Sequence, residues 1–154
     1  MFRGTFEHLI DAKGRISIPA RFRELVQASG RAEVVITRSP INPPPCLEAY
    51  PIEEWRRFEE EYLARNGFQR RFDRVVKQFE DLYFGNAHTC EIDTQGRILV
   101  PPALRDWAGL SKDVVFSGAL DRFRLWSKDA WSASQTQAEA EFQNQPDALG
   151  RLSF

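Results

Sequence analysis

The sequence predicts an α+β fold built from two copies of one β-hairpin/helix unit, with a helical hairpin between the copies. Three observations predict it: a repeated turn motif, period-2 apolar alternation around each copy of it, and helical apolar spacing between them. Residues 11–19 read DAKGRISIP and residues 93–101 read DTQGRILVP, an offset of 82 residues in a chain of 154. Five of the nine positions are identical, and Ile18 against Val100 is a conservative sixth. The match continues with Phe22 opposite Leu104 and Arg23 opposite Arg105. Further on the register slips but the order survives: Glu33–Ile36 answers Asp113–Phe116, and Trp55 answers Trp131. Chance likeness between two turns does not continue in this way, so the repeat organises the whole chain.

The first copy is assigned residues 5–52. Phe6, His8 and Ile10 alternate towards the turn, and Ile16 and Ile18 alternate away from it, which predicts two antiparallel strands joined as a hairpin. Asp11 and Gly14 are the turn-forming residues, repeated as Asp93 and Gly96. The aspartate bonds the turn backbone, and the glycine takes the positive φ of a bulged type I turn. Pro19 suits the first turn of a helix whose apolar face is Phe22, Leu25 and Val26 and which stops at Ser29-Gly30. Val34–Thr37 and Leu47–Tyr50 read as a second strand pair. The prolines at 40 and 43–45 keep the loop between them extended, an insertion without a counterpart later.

Residues 53–83 read as connecting helices. Ile52, Trp55, Phe58 and Tyr62 lie at helical spacing up to Asn66-Gly67, and Phe68, Phe72, Val75, Val76, Phe79 and Leu82 form a second apolar stripe. Such a stripe predicts a face packed into a core. The second copy, residues 84–127, repeats the order with a shorter helix from Pro101-Pro102 to Gly109 and strands at Val114–Phe116 and Phe123–Trp126. Residues 128–154 are assigned a C-terminal helix, capped by Ser127 and running through Trp131, and a mobile tail from Pro146.

Composition narrows the function. Lys plus Arg number 21 against 22 Asp plus Glu, for a net charge of −1, with 42% hydrophobic residues. That is an ordinary globular balance with no apolar run long enough for a membrane span. Charged residues from Arg3 to Arg15 exclude an apolar signal core. Two cysteines make no disulfide framework, which points to a cytosolic protein. No catalytic constellation emerges. His88 and Cys90 sit two apart on a strand, but nothing supplies the second close pair that zinc sites show. Neither a cofactor nor a metal is expected, and the chain is read as a non-enzyme.

Binding is better supported. Lys13, Arg15, Arg21 and Arg23 surround Asp11, and Arg97 and Arg105 accompany Asp93. Arg15 and Arg97 directly follow the turn glycines, so a stiff turn presents each planar fork of donors, which suits phosphate oxygens or the guanine edge. A two-stranded ribbon also fits a DNA major groove. The alternative use of each arginine is to pair with the aspartate four positions earlier. A second basic stretch, Arg65, Arg70, Arg71, Arg74 and Lys77, reads as a solvated face or a partner for the acidic helix at Glu53–Glu61. Few phosphate contacts per chain predict weak, salt-dependent binding, which several linked copies on repeated sites would strengthen.

The doubled D-x-x-G-R-I-x-[IV]-P unit, the start MFRGTFEHLIDAKGRISIPARFR and the helices between the copies resemble the MraZ family of bacterial transcriptional regulators, whose halves belong to the AbrB-like swapped-hairpin class. The resemblance covers essentially the whole chain. It implies a small, double-split β-barrel formed by both halves and a homo-oligomeric ring, an octamer by resemblance. It further implies a cytoplasmic, nucleoid-associated repressor that binds repeated double-stranded sites upstream of its own cell-division and cell-wall gene cluster. DNA-binding roles carry over to Lys13, Arg15 and Arg97, with Arg3 a weaker addition. Gln95 stands where the first copy has Lys13, so the second turn is expected to contribute less. The same fold class includes antitoxins, which makes a protein-interaction module the alternative reading.

Overall fold

The computed structural model describes residues 1–145 and 147–153. Eight strands form: β1 (Thr5–Leu9), β2 (Arg15–Ser17), β3 (Glu33–Arg38), β4 (Leu47–Pro51), β5 (His88–Glu91), β6 (Arg97–Leu99), β7 (Asp113–Gly118) and β8 (Phe123–Ser127). Five helices accompany them: α1 (Ala20–Ala28), α2 (Ile52–Asn66), α3 (Arg74–Tyr83), α4 (Pro102–Ala108) and α5 (Lys128–Gln143). Six strands make one antiparallel sheet in the order β1-β7-β8-β4-β3-β5, and β2 and β6 make a separate two-stranded ladder.

The pairing corrects one expectation. β1 and β2 flank the first turn but do not form a hairpin with each other. β1 pairs with β7 of the other copy, from Thr5 opposite Ser117 to Leu9 opposite Asp113, and β5 likewise pairs with β3. β2 pairs with β6, placing Ile16 directly opposite its own equivalent Ile98. Alternation fixes which face a strand buries and says nothing about its partner. The turn itself closes, with the Asp11 N–H donating to the Arg15 carbonyl at 3.0 Å. Beyond that bond the strands diverge, and the His8 ring bridges the gap through Nδ1 to the Ser17 carbonyl at 2.7 Å. The expected pairs β3–β4 and β7–β8 do form, and β4 joins β8 between them.

This exchange puts the core between the copies. Ile16, Ile18, Phe22 and Val26 from the first copy pack with Ile98, Val100, Leu104, Phe116 and Phe123 from the second, all fully or almost fully buried. Phe22 sits against Phe2, Phe6 and Phe123 with ring centroids 5.2–5.3 Å apart. Pro19 and Pro101 stand at the N-caps of α1 and α4, one residue ahead of the first helical position.

α2 and α3 pack on the sheet through Trp55, Tyr83, Phe58 and Phe79, with Asp73 capping α3 by accepting from the Val75 N–H at 2.8 Å. Here a second expectation fails. Of the stripe from Phe68 to Leu82, only part is covered: Phe68 is 79% exposed, Phe72 77%, Val75 72% and Leu82 58%. The predicted single helical stripe is broken: Phe68 and Phe72 flank a short 3₁₀ turn at Gln69–Arg71, and only Val75 and Leu82 of the four lie on α3. α5 runs to Gln143, well past Trp131, with Ser127 Oγ accepting from the Ala130 N–H at 3.1 Å. Of the tail that the sequence marks as mobile, residues 148–151 form a short 3₁₀ turn, while Pro146 and Phe154 lie outside the described residues. No helix is long and apolar enough to cross a membrane among the described residues.

Candidate nucleic-acid interface

Both turns are built alike from the backbone upward. Asp11 Oδ1 accepts from the Lys13 and Arg15 N–H groups at 3.0 and 2.9 Å, and the Gly14 N–H returns to the Asp11 carbonyl at 3.0 Å. Asp93 Oδ1 accepts from Gln95 and Arg97 at 2.9 Å each. Gly14 and Gly96 adopt φ of +88° and +77°, which an L side chain rarely tolerates. Those N–H donors, the one from Arg15 foremost, hold the Asp11 carboxyl below its ordinary pKa, and Arg97 does the same for Asp93. Both aspartates therefore carry a full negative charge at neutral pH.

Each motif arginine folds back on that charge. Arg15 Nε donates to Asp11 Oδ2 at 2.7 Å, and Arg97 Nε to Asp93 Oδ2 at 3.1 Å, with the arginine side chains 39% and 31% exposed. The sequence offered pairing and presentation as alternatives; the geometry accommodates both. The ion pair uses Nε alone, so the outer edge of each guanidinium, Nη1 with Nη2, has no protein partner among the described residues. That edge is the one a phosphate or a guanine would occupy.

The ladder places the two arginines together. Arg15 lies opposite Leu99 and Arg97 opposite Ser17, with Ile16 and Ile98 turned inward at 1% exposure. Strand alternation then puts Arg15, Ser17, Arg97 and Leu99 on the outer face, the arginines as diagonal neighbours about 7–8 Å apart. Lys13 and Gln95 are exposed at the two turn tips. Arg3 does not join this group. It precedes β1, eight residues before Asp11 or roughly 25 Å of extended chain, and its backbone lies against Gly118.

Two further arginines arrive at the turns from the opposite copy. The Arg105 Nη1 of α4 donates to the Ala12 carbonyl at 3.1 Å and lies 2.9 Å from where a Cβ on Gly14 would stand. Arg23 of α1 lies correspondingly over Gly96, its Cζ 2.8 Å from the Cβ position, while its Nη1 donates to the Ile18 carbonyl at 3.2 Å. The first turn thus gathers Lys13, Arg15 and Arg105 around Asp11, and the second gathers Arg97 and Arg23 around Asp93. Counting charge along the sequence assigned Arg23 and Arg105 to the wrong turns, because the copies are exchanged. Their signal was present in the matched offset, which pairs Arg23 with Arg105 as firmly as Arg15 with Arg97.

Other candidates separate from this face. Arg70 pairs with Glu80 at 2.8 Å and Lys77 with Asp81 at 2.5 Å, so this basic stretch neutralises α3 itself and not the acidic residues of α2. Burial pushes the Cys46 thiol up to about 12 and Cys90 up to about 11, which keeps both protonated. No group of three potential metal ligands occurs among the described residues.

A family model described as "MraZ protein, putative antitoxin-like" matches twice, over residues 1–79 and 83–152. The two matches begin 82 residues apart, the offset of the turn motif. A protein of Thioalkalivibrio sulfidiphilus described as transcriptional regulator MraZ is 40% identical over 137 residues, covering 89% of this chain and 87% of its own. One of Syntrophobacter fumaroxidans with the same description is 42% identical over 135 residues, covering 86% and 83%. A third, of Lachnoclostridium phytofermentans, is 38% identical over the full length of both chains. With both halves matched and full-length relatives well above 30% identity, the chain belongs to the MraZ family of transcriptional regulators.

Proposed function

We propose that this regulator binds DNA in a sequence-specific manner and represses its own cell-division and cell-wall gene cluster, working as a cytoplasmic, nucleoid-associated homo-oligomeric ring on repeated promoter sites. One observation carries the reading: Arg15 and Arg97, one from each copy, share the outer face of a two-stranded ladder with their Nη edges unpartnered. Two forks on one face of a two-stranded ribbon suit acceptors spaced along one groove. Lys13 adds a point charge at one tip only. Arg3, ahead of β1, is kept as the weaker additional contact.

Two arginines and one lysine per chain make few phosphate contacts, so binding by a single protomer is weak. Linking protomers raises the affinity without new contacts. Exposed apolar side chains on α3 (Val75, Leu82) and on the turn before it (Phe68, Phe72) support self-association, since exposed apolar surface of this kind seldom stays bare on a monomer. The interaction-module alternative, in which the tail after Phe142 wraps a partner, would be favoured by co-purification of an unrelated small protein.

Binding to the repeats of its own promoter, followed as a function of salt, tests the proposal. Arg15→Ala is expected to lower affinity roughly tenfold to a hundredfold with fold and oligomer unchanged, and to reduce the salt slope by about 1. Arg97→Ala is expected to weaken binding as well. Parental affinity in Arg15→Ala at matched salt refutes the assignment.

A further inference from the structure

We infer that Arg105 and Arg23 are positioning residues for DNA recognition, each a clasp from one copy that sets the turn of the other. This inference rests on the reading of Arg15 and Arg97 as DNA contacts and deepens it. Each turn is four residues long, is anchored from inside by one aspartate, and stands at the start of a ladder strand only three residues long. Those bonds close each turn on itself but do not fix where it stands against the other copy. An arginine that reads an acceptor edge must instead be held close to its working geometry.

Arg105 supplies the missing hold at the first turn. Its guanidinium donates to the Ala12 carbonyl and lies 2.9–3.0 Å from the place a Cβ on Gly14 would take. The Val100 N–H, five residues earlier in the same copy, donates to the Gly14 carbonyl at 2.9 Å. The second turn has the matching pair: Arg23 lies over Gly96, and the Ile18 N–H donates to the Gly96 carbonyl at 3.0 Å. Glycine at both positions is required by its positive φ, and a Cβ there would push the guanidinium aside. The clasps are not identical: Arg105 bonds the turn it covers, whereas Arg23 spends its hydrogen bond on its own copy. Removal of Arg105 should accordingly loosen its turn more than removal of Arg23.

The test compares Arg105→Ala, Arg105→Lys and Arg15→Ala in the full-length protein, by affinity for promoter DNA across a salt series and by amide hydrogen exchange without DNA. Arg105→Ala is expected to weaken binding three- to tenfold with the salt slope of the parent, and to speed exchange at Lys13, Gly14 and Arg15. Arg105→Lys, which keeps the charge and can still reach the Ala12 carbonyl, is expected to recover part of both. A slope that falls in Arg105→Ala as it does in Arg15→Ala would make Arg105 a direct contact and overturn the inference. Unchanged affinity and exchange would make it a bystander and overturn it too. If Arg15→Ala binds like the parent, the DNA reading itself fails, whatever the Arg105 variants do. Circular dichroism and the oligomer size of each variant separate these outcomes from misfolding.

Discussion

At the residue scale, the central point is that Arg15 can serve two partners at once, Asp11 at Nε and an acceptor at its outer edge. Its bond to Asp11 is open to water, and such pairs contribute little to stability. What the aspartate gives in return is direction: a guanidinium fixed at Nε leaves its other edge outward. The same carboxylates set a pH dependence. Their pKa values are lowered in the folded protein, so their contribution is complete above the ordinary aspartate value and is lost as pH falls through the lowered one. Both turns should hold from neutral pH down to about 4 and loosen only in stronger acid. An NMR titration of the side-chain carboxyl carbons should give midpoints below that of free aspartate. In the double variant Asp11→Asn and Asp93→Asn, the amide still accepts from the turn, and the acid-induced loosening should flatten.

At the element scale, α3 shows what periodicity contains and what it omits. The spacing of Val75, Val76 and Phe79 correctly marks a helix, but it extends the helix back over Phe68 and Phe72, which flank a separate 3₁₀ turn. Phe72 and Val75 stay exposed while Phe79 packs against the core. A stripe wider than one neighbour can cover reports that something must lie on it, not what. If the cover is a second copy, Phe72→Ser with Val75→Ser should lower the mass in solution, measured by light scattering, while the thermal midpoint of the smaller species stays within a few degrees. Retention of the parental mass would place the subunit contacts elsewhere. The strands teach the same lesson. Alternation at Phe6, His8 and Ile10 and at Ile16 and Ile18 located every strand of the first turn and its buried face. Partner choice depended on long-range pairing with β7 and β6, which no local pattern encodes. The turn residues were legible because Asp and Gly act within four positions. Arg23 and Arg105 were not, because their targets lie in the other copy.

At the scale of the whole molecule, the exchange of strands makes neither copy complete. A fragment of residues 1–52 retains β1, β2, α1, β3 and β4 but loses β7 and β6, the partners of its first two strands. Since Ile16 meets its own equivalent across the ladder, a second fragment can stand in for the missing copy. The fragment is expected to fold only as a dimer, with an unfolding midpoint that rises with concentration by analytical denaturation. A concentration-independent transition would show that one copy suffices.

The pseudo-symmetric ladder has one further consequence, for how such a molecule changes over generations. Two identical chains meeting at a true dyad must alter both arms with every mutation. Once the arms are fused in tandem, each is inherited separately. Here the paired places have already parted, lysine against glutamine at the tips and serine against leucine beside the arginines, while the scaffold beneath them has stayed matched.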